Sequence, residues 1–466
     1  MYDVIVLGGG PAGYVAAVRL VEKGFKVALV ERKYLGGECT NWGCIPSKAL
    51  IDLSNNLYSL KALSKAGLSY SIERIDYSRL LKHVERAVIK SREGIKYLLS
   101  DVDVFYGVGR VKDVNTVEVL NNSKVVKELT GKNIVVATGT EPNVIPSFKF
   151  DGERILSNRE FFELKSFPNS IAIIGAGAIG CEISSALAKL GVEVHLIEIM
   201  NKILPEVDKD LSDVVHKHLV KQGVKIYTSA QAKYEGVTPD GKEVIVKLSL
   251  GSDLIELKVE KVLIAAGRKY NTSGLGLENV GVELDSKGVI SVNEFMRTTV
   301  PNIYAAGDVT GPPLLAHKAF REGMIVADAI AGVKNPLPRG PIPMVIYTEP
   351  EVGLVGLSET QASKAGIAYK VFKFPFIALG RDYASIKSTP EGFVKILIEE
   401  NTRKMLGAAI VGNAASEVIH LFGMGLTLGL DLTELRKVVT AHPTYSEVFS
   451  EVVNEALGEP LHGPRK

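Results

Sequence analysis

A short glycine-rich pattern occurs twice in this chain, and the repeat constrains the fold more than any other feature. In the first copy, an apolar run at 4–7 precedes Gly8-Gly9-Gly10-Pro11-Ala12-Gly13, an amphipathic segment and a second apolar run that ends at Glu31. In the second copy, residues 171–174 precede Gly175-Ala176-Gly177-Ala178-Ile179-Gly180, and Glu198 ends the unit. Each acid follows the first glycine of its motif by 23 residues. The repeat predicts two strand–turn–helix–strand units.

Each position of the motif has a physical role in holding a dinucleotide. The first glycine permits a tight turn, the second lets a pyrophosphate approach the backbone, and the third lets the helix pack closely on its strand. The helix N-terminus attracts the phosphates, and the acid accepts hydrogen bonds from an adenosine ribose. We therefore predict two dinucleotide sites, formed by Gly8, Gly10, Gly13 and Glu31 and by Gly175, Gly177, Gly180 and Glu198.

Two of the three cysteines, Cys39 and Cys44, lie five positions apart after the first motif. An ideal helix would separate their Cα atoms by about 8.6 Å, whereas a disulfide requires roughly 4.4–6.8 Å. A bridge would therefore need a bent backbone, which Gly43 and Pro46 permit. Because so small a loop would contribute only about 2 kcal/mol, the pair is interpreted either as a redox switch or as two free thiols. The third cysteine, Cys181, is interpreted as a packing residue.

Composition excludes several classes of function. The 466 residues are enough for two to four domains, and 55 basic against 53 acidic residues favour neither nucleic acid nor an anionic membrane as a partner. So few cysteines indicate a reducing compartment, and we expect a cytoplasmic protein. The longest apolar run, near 421–430, is too short to span a bilayer. We predict no metal site.

The remaining segments suggest how the domains are arranged. A strand at 133–140 ends in Ala137-Thr138-Gly139, and residues 261–268 echo it near the end of the second unit. Another predicted strand ends just before Asp308, so this acid lies at the carboxyl end of the strand, where ligands of parallel sheets bind. Four prolines within 335–343 predict a stiff linker. We predict a first nucleotide-binding domain at 1–144, a second at 145–271, a central segment at 272–340 that completes the first, and an α+β interface domain at 341–466.

Near the C-terminus the chain reads His442-Pro443-Thr444-Tyr445-Ser446-Glu447. A carboxylate five residues after a histidine can orient the imidazole and raise its basicity. His442 is therefore a candidate general base, although most histidines in a chain of this size are surface or core residues.

Taken in order, these motifs resemble those of the FAD-dependent pyridine nucleotide–disulfide oxidoreductases over essentially the whole chain. The resemblance rests on both glycine motifs, on Cys39-x-Asn41-x-Gly43-Cys44-Ile45-Pro46-Ser47-Lys48 and on the His442 to Glu447 segment. Within the family, the dihydrolipoamide dehydrogenases are the most similar branch. The resemblance implies an α/β fold with two Rossmann-like domains and a C-terminal α+β dimerisation domain. It also implies FAD at the first motif and NAD at the second.

The resemblance further implies roles for individual residues. His442, oriented by Glu447, takes a proton from dihydrolipoamide, and the resulting thiolate attacks Cys39. Cys44 and Lys48 lie beside the flavin, and electrons pass through FAD to NAD. Further cofactor contacts are implied at Gly37, Thr138, Gly139, Gly267, Asp308 and Ala316.

The family's known assemblies imply the partners. They are a second copy of the chain, whose His–Glu pair completes each active site, and lipoamide or a lipoylated protein of a 2-oxoacid dehydrogenase or glycine cleavage complex. Glu198 favours NAD over NADP, because a carboxylate repels a 2′-phosphate.

Two alternatives remain open at the level of sequence. One is a reductase of another small disulfide, similar to glutathione reductase, and the other is a flavin-binding structural component of a multienzyme complex. Trp42 and Tyr445 stand where the family usually has aliphatic residues, and they either shape the substrate channel or simply pack.

Overall fold

The computed structural model describes residues 1–335 and 337–463. The α-helices are α1 (Pro11–Glu22), α2 (Gly37–Trp42), α3 (Cys44–Lys65), α4 (Tyr77–Leu98), α5 (Asn158–Phe162), α6 (Ala178–Lys189), α7 (Lys209–Lys221), α8 (Ala316–Ile330), α9 (Glu359–Lys364), α10 (Gly380–Tyr383), α11 (Ala415–Leu428), α12 (Leu432–Leu435) and α13 (Glu447–Leu457).

The strands of the described chain form five sheets. They are β1 (Tyr2–Leu7), β2 (Val27–Glu31), β3 (Asp103–Tyr106), β4 (Val108–Asp113), β5 (Thr116–Asn121), β6 (Lys124–Val136), β7 (Thr140–Pro142), β8 (Ile155–Leu156), β9 (Ser170–Ile174), β10 (Glu193–Ile197), β11 (Lys225–Tyr227), β12 (Gln231–Val237), β13 (Val244–Leu250), β14 (Asp253–Val259), β15 (Lys261–Ile264), β16 (Arg268–Tyr270), β17 (Ile303–Ala305), β18 (Met344–Ile346), β19 (Glu351–Gly356), β20 (Tyr369–Pro375), β21 (Phe393–Glu399) and β22 (Met405–Gly412).

The chain divides into two compact units, and each is built from three separate stretches of sequence. Of the described residues, the first unit contains those within 1–49, 81–143 and 267–339, and the second contains those within 50–80, 144–266 and 340–463. The helices α3 and α4 therefore contribute residues to both units.

The first unit is centred on a sheet with the strand order β3-β2-β1-β6-β5-β4, and β17 also pairs with β6. The strands β1, β2, β3, β6 and β17 are parallel, whereas β4, β5 and β6 form an antiparallel meander. Val4, Ile5 and Val6 are completely buried, because helices or loops cover both faces of the parallel part. Helix α8 packs closely on α1: a Cβ built at Gly323 would lie 2.5 Å from the carbonyl oxygen of Ala12.

The second unit contains a sheet with the order β11-β10-β9-β15-β8, and all of its strand pairs are parallel. Helix α6 connects β9 to β10 in the same way that α1 connects β1 to β2. In both copies the echoed strand lies directly beside the first strand, since β6 pairs with β1 and β15 pairs with β9. The predicted duplication of a nucleotide-binding unit is therefore present in the fold.

The same unit ends in an antiparallel sheet with the order β18-β19-β22-β21-β20. Its core includes four buried aromatic residues, Phe374, Phe376, Phe422 and Phe449. The last two lie on α11 and α13, which pack with the sheet, and their ring centroids are 5.0 Å apart. The predicted fold class, with two parallel dinucleotide-type sheets followed by an α+β domain, is confirmed.

Two further expectations have different outcomes. Among the described residues, no helix is both long and apolar enough to cross a bilayer. The predicted linker at 335–343 includes residue 336, which lies outside the described residues. The boundaries of the four predicted domains stay a prediction.

Candidate redox-active site

The two cysteines meet at a break between two helices. Helix α2 ends at Trp42, Gly43 takes φ −127° and ψ −109°, and α3 begins at Cys44. The thiols of Cys39 and Cys44 are hydrogen-bonded to each other, and both side chains are partly exposed. The bent backbone inferred from the spacing is present, and it brings together the two sulfurs that a redox switch requires.

The groups around Cys39 shift the pKa of its thiol in opposite directions. The hydrogen bond with the Cys44 thiol, followed by burial, raises the pKa of the Cys39 thiol, while the positive charge of Lys48 lowers it. By contrast, Cys181 is completely buried, and its thiol donates to the carbonyl oxygen of Ala176 at 3.3 Å. Burial raises the pKa of the Cys181 thiol, which supports its interpretation as a packing residue.

Trp42 points into a cluster of aromatic and cationic side chains. It is 8% exposed, and its ring centroid lies 5.7 Å from that of Tyr34. The Lys33 ammonium lies 5.0 Å from the Trp42 ring centroid, and the Arg92 guanidinium lies 4.1 Å from that of Tyr34. Arg92 also donates to the Asn41 side-chain oxygen at 2.7 and 3.0 Å. The structure therefore supports a packing role for Trp42 within the first unit.

The first glycine motif has the shape of a phosphate cradle. Gly8 has φ +100°, and a Cβ there would lie 2.4 Å from the carbonyl oxygen of Ala137, while a Cβ at Gly13 would lie 1.8 Å from that of Gly8. At Gly10 the nearest neighbour of such an atom is the Gly37 Cα, 3.9 Å away. The outer glycines thus permit close packing, and the middle one leaves space in front of the N-terminus of α1.

The second motif repeats this geometry. Gly175 has φ +104°, and added Cβ atoms at Gly175 and Gly180 would lie 2.7 and 1.9 Å from the carbonyl oxygens of Ala265 and Gly175, respectively. A Cβ at Gly177 would meet nothing within 4 Å. The matching pattern of two crowded glycines around an open one fits a dinucleotide at each site.

The two acids that end the motifs also have matching surroundings. Glu31 accepts hydrogen bonds from the backbone N–H groups of Gly9 at 2.8 Å and Lys33 at 2.7 Å. Glu198 accepts from Ala176 at 2.8 Å and Met200 at 2.9 Å. Each carboxylate is held beside its glycine turn, and each oxygen keeps a second lone pair for a ribose hydroxyl.

The other predicted cofactor residues lie at turns and helix ends. Thr138 donates its hydroxyl to the carbonyl oxygen of Asn271 at 2.8 Å. Gly139 and Gly267 have φ +66° and +81°, and both have open space where a Cβ would stand. Ala316 is the first residue of α8. A Cβ at Gly37 would lie 2.9 Å from the Gly10 Cα, so this glycine permits the loop to approach the first motif.

Sequence reasoning missed a chain of contacts around Asp308. The Thr140 hydroxyl donates to the Asp308 carboxylate at 2.6 Å, and the Arg268 guanidinium donates to the Thr140 hydroxyl oxygen at 2.7 Å. Arg268 also forms an ion pair with Glu38 at 3.1 Å. The only sequence signal for Arg268 is its position directly after Gly267 in the echoed strand motif.

The predicted His–Glu pair is formed in the second unit. His442 Nδ1 lies 2.8 Å from Glu447 Oε1, and Glu447 Oε2 accepts from the Thr444 backbone N–H at 2.9 Å. The His442 side chain is 74% exposed. Because Glu447 begins α13, the helix fixes the carboxylate that orients the imidazole.

Tyr445 belongs to a network on the inner side of this segment. Its hydroxyl accepts from the Asn413 side-chain amide at 3.1 Å, and its ring lies edge-on to Phe376 with centroids 5.9 Å apart. The Arg381 guanidinium lies 5.3 Å from the Tyr445 ring centroid. Neighbouring Gly380 approaches the imidazole, since a Cβ there would lie 3.5 Å from His442 Cε1. Tyr445 therefore packs as part of the support for the His442 segment.

Comparison with known proteins gives the family. The pyridine nucleotide-disulphide oxidoreductase model matches residues 2–323, and the dimerisation-domain model of the same group matches residues 342–453. The chain belongs to this family. The expected resemblance, with its C-terminal dimerisation domain, is confirmed.

Curated relatives match the chain along almost its whole length. The dihydrolipoyl dehydrogenase of Bacillus subtilis is 38% identical over 463 residues, which cover 99% of this chain and 97% of the relative. That of Chlamydia pneumoniae is 38% identical over 467 residues, which cover 100% of this chain and 99% of the relative.

Solved structures agree with the sequence relatives. The crystal structure of LpdA from Mycobacterium tuberculosis superposes with a TM-score of 0.88 at 27% identity, covering 98% of this chain and 99% of that one. A copper complex of RclA, an HOCl-induced flavoprotein disulfide reductase of Escherichia coli, gives 0.85 at 27% identity, covering 97% and 99%. The chain is a flavoprotein disulfide oxidoreductase that uses FAD and NAD.

Proposed function

We propose that this enzyme oxidises dihydrolipoamide to lipoamide with NAD as the acceptor. The curated relatives that match nearly the full chain carry the name dihydrolipoyl dehydrogenase. The observation that carries the proposal is the contact between Cys39 and Cys44 at the break between α2 and α3. Thiol–disulfide exchange requires two sulfurs that can pair with each other, and at least one must be accessible to the substrate.

The two cradles would hold the cofactors. FAD would be held by Gly8, Gly10, Gly13, Glu31, Gly37, Lys48, Thr138, Gly139, Asp308 and Ala316, and NAD by Gly175, Gly177, Gly180, Glu198 and Gly267. When bound, FAD supplies the two-electron exchange between the cysteine pair and the nicotinamide. Glu198 would disfavour the 2′-phosphate of NADP by like-charge repulsion.

The residues of the chain would move the protons and make the sulfur bonds. With Nδ1–H donated to Glu447, His442 has Nε2 available to accept a proton from one substrate thiol. The substrate thiolate would attack the Cys39 sulfur of the oxidised pair, and the Cys39–Cys44 bond would break with Cys44 leaving as a thiolate.

The second substrate thiol would then complete the exchange. It would attack the mixed disulfide at the substrate sulfur, which closes the lipoyl ring and breaks the bond to Cys39, and the proton of this second thiol would pass to the released Cys39 sulfur. The substrate has then lost two electrons and two protons, and the cysteine pair has gained the electrons. The positive charge of Lys48 would favour negative charge on these sulfurs.

A homodimer would complete each site. The matched dimerisation domain and the 94% exposure of Val439, close to His442 in the sequence, support a surface that a second copy covers. The His442–Glu447 pair of one subunit would serve the cysteines of the other. Under this proposal the enzyme works in the cytoplasm on lipoamide or on a lipoylated protein of a 2-oxoacid dehydrogenase or glycine cleavage complex.

Steady-state kinetics test the proposal. We expect turnover with NAD⁺ and dihydrolipoamide, and at least a hundredfold lower kcat/KM with NADPH and glutathione disulfide. A preference for the second pair would overturn the assignment and favour a reductase of another small disulfide. The similarity to the RclA disulfide reductase makes this the second candidate. A protein that binds FAD but turns over neither pair would instead indicate a structural component.

A further inference from the structure

The redox pair has a charged neighbour that the mechanism above does not use. Glu38 directly precedes Cys39 in α2, and its carboxylate forms an ion pair with Arg268 of β16 at 3.1 Å. The Glu38 and Arg268 side chains are only 22% and 16% exposed. This degree of burial weakens solvent screening, so the charges act more strongly on their surroundings than a surface pair would.

Arg268 is held in place by further hydrogen bonds. Its Nε donates to the Thr140 hydroxyl oxygen at 2.7 Å, and its Nη2 donates to the Thr140 carbonyl oxygen at 3.1 Å. The strands β16 and β7 pair in an antiparallel arrangement, with Tyr270 opposite Thr140. The guanidinium is therefore fixed by the sheet, and the carboxylate of Glu38 is drawn to a defined position.

Several titratable groups interact with the Cys39 thiol. Cys44 and Lys48 of α3 and Tyr14 of α1 interact with it directly. Glu38 occupies the position directly before Cys39 in α2. A carboxylate near a thiol disfavours the thiolate, whereas a carboxylate paired with a guanidinium has much less effect.

We propose that Arg268 is a positioning residue of the redox pair: it holds and neutralises the Glu38 carboxylate, and so permits negative charge on the Cys39 sulfur. The inference rests on the proposed function only in taking Cys39 as the sulfur that meets the substrate. It requires no contact between Arg268 and the substrate, because the guanidinium acts through Glu38.

The reactivity of the reduced cysteines tests this role without any lipoamide or nicotinamide. The reduced holoenzyme is treated with iodoacetamide between pH 5 and pH 10, and mass spectrometry of the peptides separates labelling at Cys39 from labelling at Cys44. In this reaction the thiolate forms an S–C bond and iodide leaves. The rate therefore follows the thiolate fraction, and one unit of pKa corresponds to about tenfold in rate below the pKa.

Four variants separate the possible roles. We expect Arg268→Met to slow the labelling of Cys39 at pH 7 by about three- to tenfold and to raise the midpoint of its pH profile. The labelling rate of the double variant, Glu38→Gln with Arg268→Met, should return to within about twofold of the wild-type rate, because position 38 then carries no negative charge. The labelling rate of Cys39 in Arg268→Lys should also stay within about twofold of the wild-type rate. As a matched control, Lys112→Met breaks the exposed Lys112–Glu128 pair of the same unit and should leave the profile unchanged.

Two outcomes of the labelling experiment would overturn the proposal. An unchanged profile in Arg268→Met would show that Glu38 does not act on Cys39. A slowed Arg268→Met that Glu38→Gln fails to restore would show that Arg268 does not act through Glu38. If Arg268→Met does not fold, Arg268→Gln replaces it. The labelling of Arg268→Gln is then compared between a protein that keeps Glu38 and one that also carries Glu38→Gln. Loss of dihydrolipoamide turnover in the wild-type enzyme would refute the proposed substrate and leave this result intact.

Discussion

Three carboxylates among the predicted site residues accept hydrogen bonds from backbone N–H groups. Glu31 accepts from Gly9, Glu198 from Ala176, and Glu447 from Thr444. Each acid therefore keeps its position without depending on a mobile cationic side chain. For Glu447 this leaves the second oxygen free to orient the imidazole of His442.

Replacing Glu447 tests this orientation. We expect Glu447→Gln to lower kcat for dihydrolipoamide oxidation by about 10- to 100-fold, because the amide no longer favours the tautomer with Nε2 as acceptor. Steady-state rates at pH 8 are the measurement. Glu451 provides a matched control on the next turn of α13, where it binds His462 at 2.8 Å. If Glu451→Gln lowered kcat as much, the loss would reflect damage to α13 rather than catalysis.

Residue-scale predictions from sequence succeed where the partners are close in the chain. The spacing of His442 and Glu447 indicates their pairing, since they lie only five positions apart. The pairing of Arg268 with Glu38 has no such local signal, because only the folding of the first unit brings these distant positions together. The packing role of Trp42 was likewise open until Tyr34 and Lys33 were located.

At the scale of elements, the third glycine of each motif permits its helix to start against its strand. An added Cβ would lie 1.8 Å from a carbonyl oxygen at Gly13 and 1.9 Å at Gly180. No side-chain rotation can relieve such an overlap, so α1 or α6 would have to move. The same local defect can therefore be introduced at either nucleotide site.

This equivalence gives a paired prediction. We expect Gly13→Ala to yield protein largely without bound FAD, and Gly180→Ala to keep FAD while KM for NAD⁺ rises by at least tenfold. Flavin absorbance per polypeptide and steady-state kinetics are the measurements. If Gly180→Ala lost FAD while Gly13→Ala kept it, the assignment of the two cofactors to the two motifs would be reversed.

A buried lysine joins elements of the second unit. Lys395 of β21 is completely buried, and its ammonium lies 3.0 Å from Asp208, 2.9 Å from Asp210 and 2.6 Å from Glu359. These three acids are also the one group of potential metal ligands found among the described residues. The Lys395 ammonium occupies the centre of this group, which accounts for the cluster without a metal ion.

Removing that lysine should be costly. We expect Lys395→Ala to lower the free energy of unfolding by about 3–5 kcal/mol, because three carboxylates lose their buried partner. Lys373, which also pairs with Asp210 but is 45% exposed, is the control, and Lys373→Ala should cost less than about 1 kcal/mol. Urea unfolding followed by circular dichroism measures both. Equal costs would contradict the view that burial makes the Lys395 cluster important.

At the scale of the whole molecule, the repeat made the architecture predictable. Turn glycines, flanking strands and terminal acids are local features, so both nucleotide-binding units could be located from sequence. The division of the chain into two compact units was harder to predict from sequence, because α3 and α4 each contribute residues to both units. Buried polar clusters such as that around Lys395 were also missed, since a lysine in a strand usually signals an exposed face.

The stability of the folded chain should depend on pH through the ionisation of Glu391. Hydrogen bonding to Lys221 lowers the pKa of Glu391 to about 2, against an ordinary value of 4.5. Its contribution is therefore fully present above pH 4.5 and is lost as the pH falls towards 2. We expect Glu391→Gln to lower the melting temperature at pH 7 more than at pH 3. Thermal melts of both proteins measure this, and an equal decrease at the two pH values would contradict it.

The central claim is that the Cys39–Cys44 pair exchanges electrons with the cofactors. Anaerobic titration of the holoenzyme with dihydrolipoamide, followed by visible absorbance, tests it most directly. We predict that the uptake of two electrons per subunit produces a long-wavelength absorbance band, which arises from a thiolate in contact with the flavin. We also predict that Cys39→Ser and Cys44→Ser still bind FAD but are reduced by dihydrolipoamide far more slowly than the wild-type enzyme. Reduction of the flavin in both variants at the wild-type rate would contradict the account.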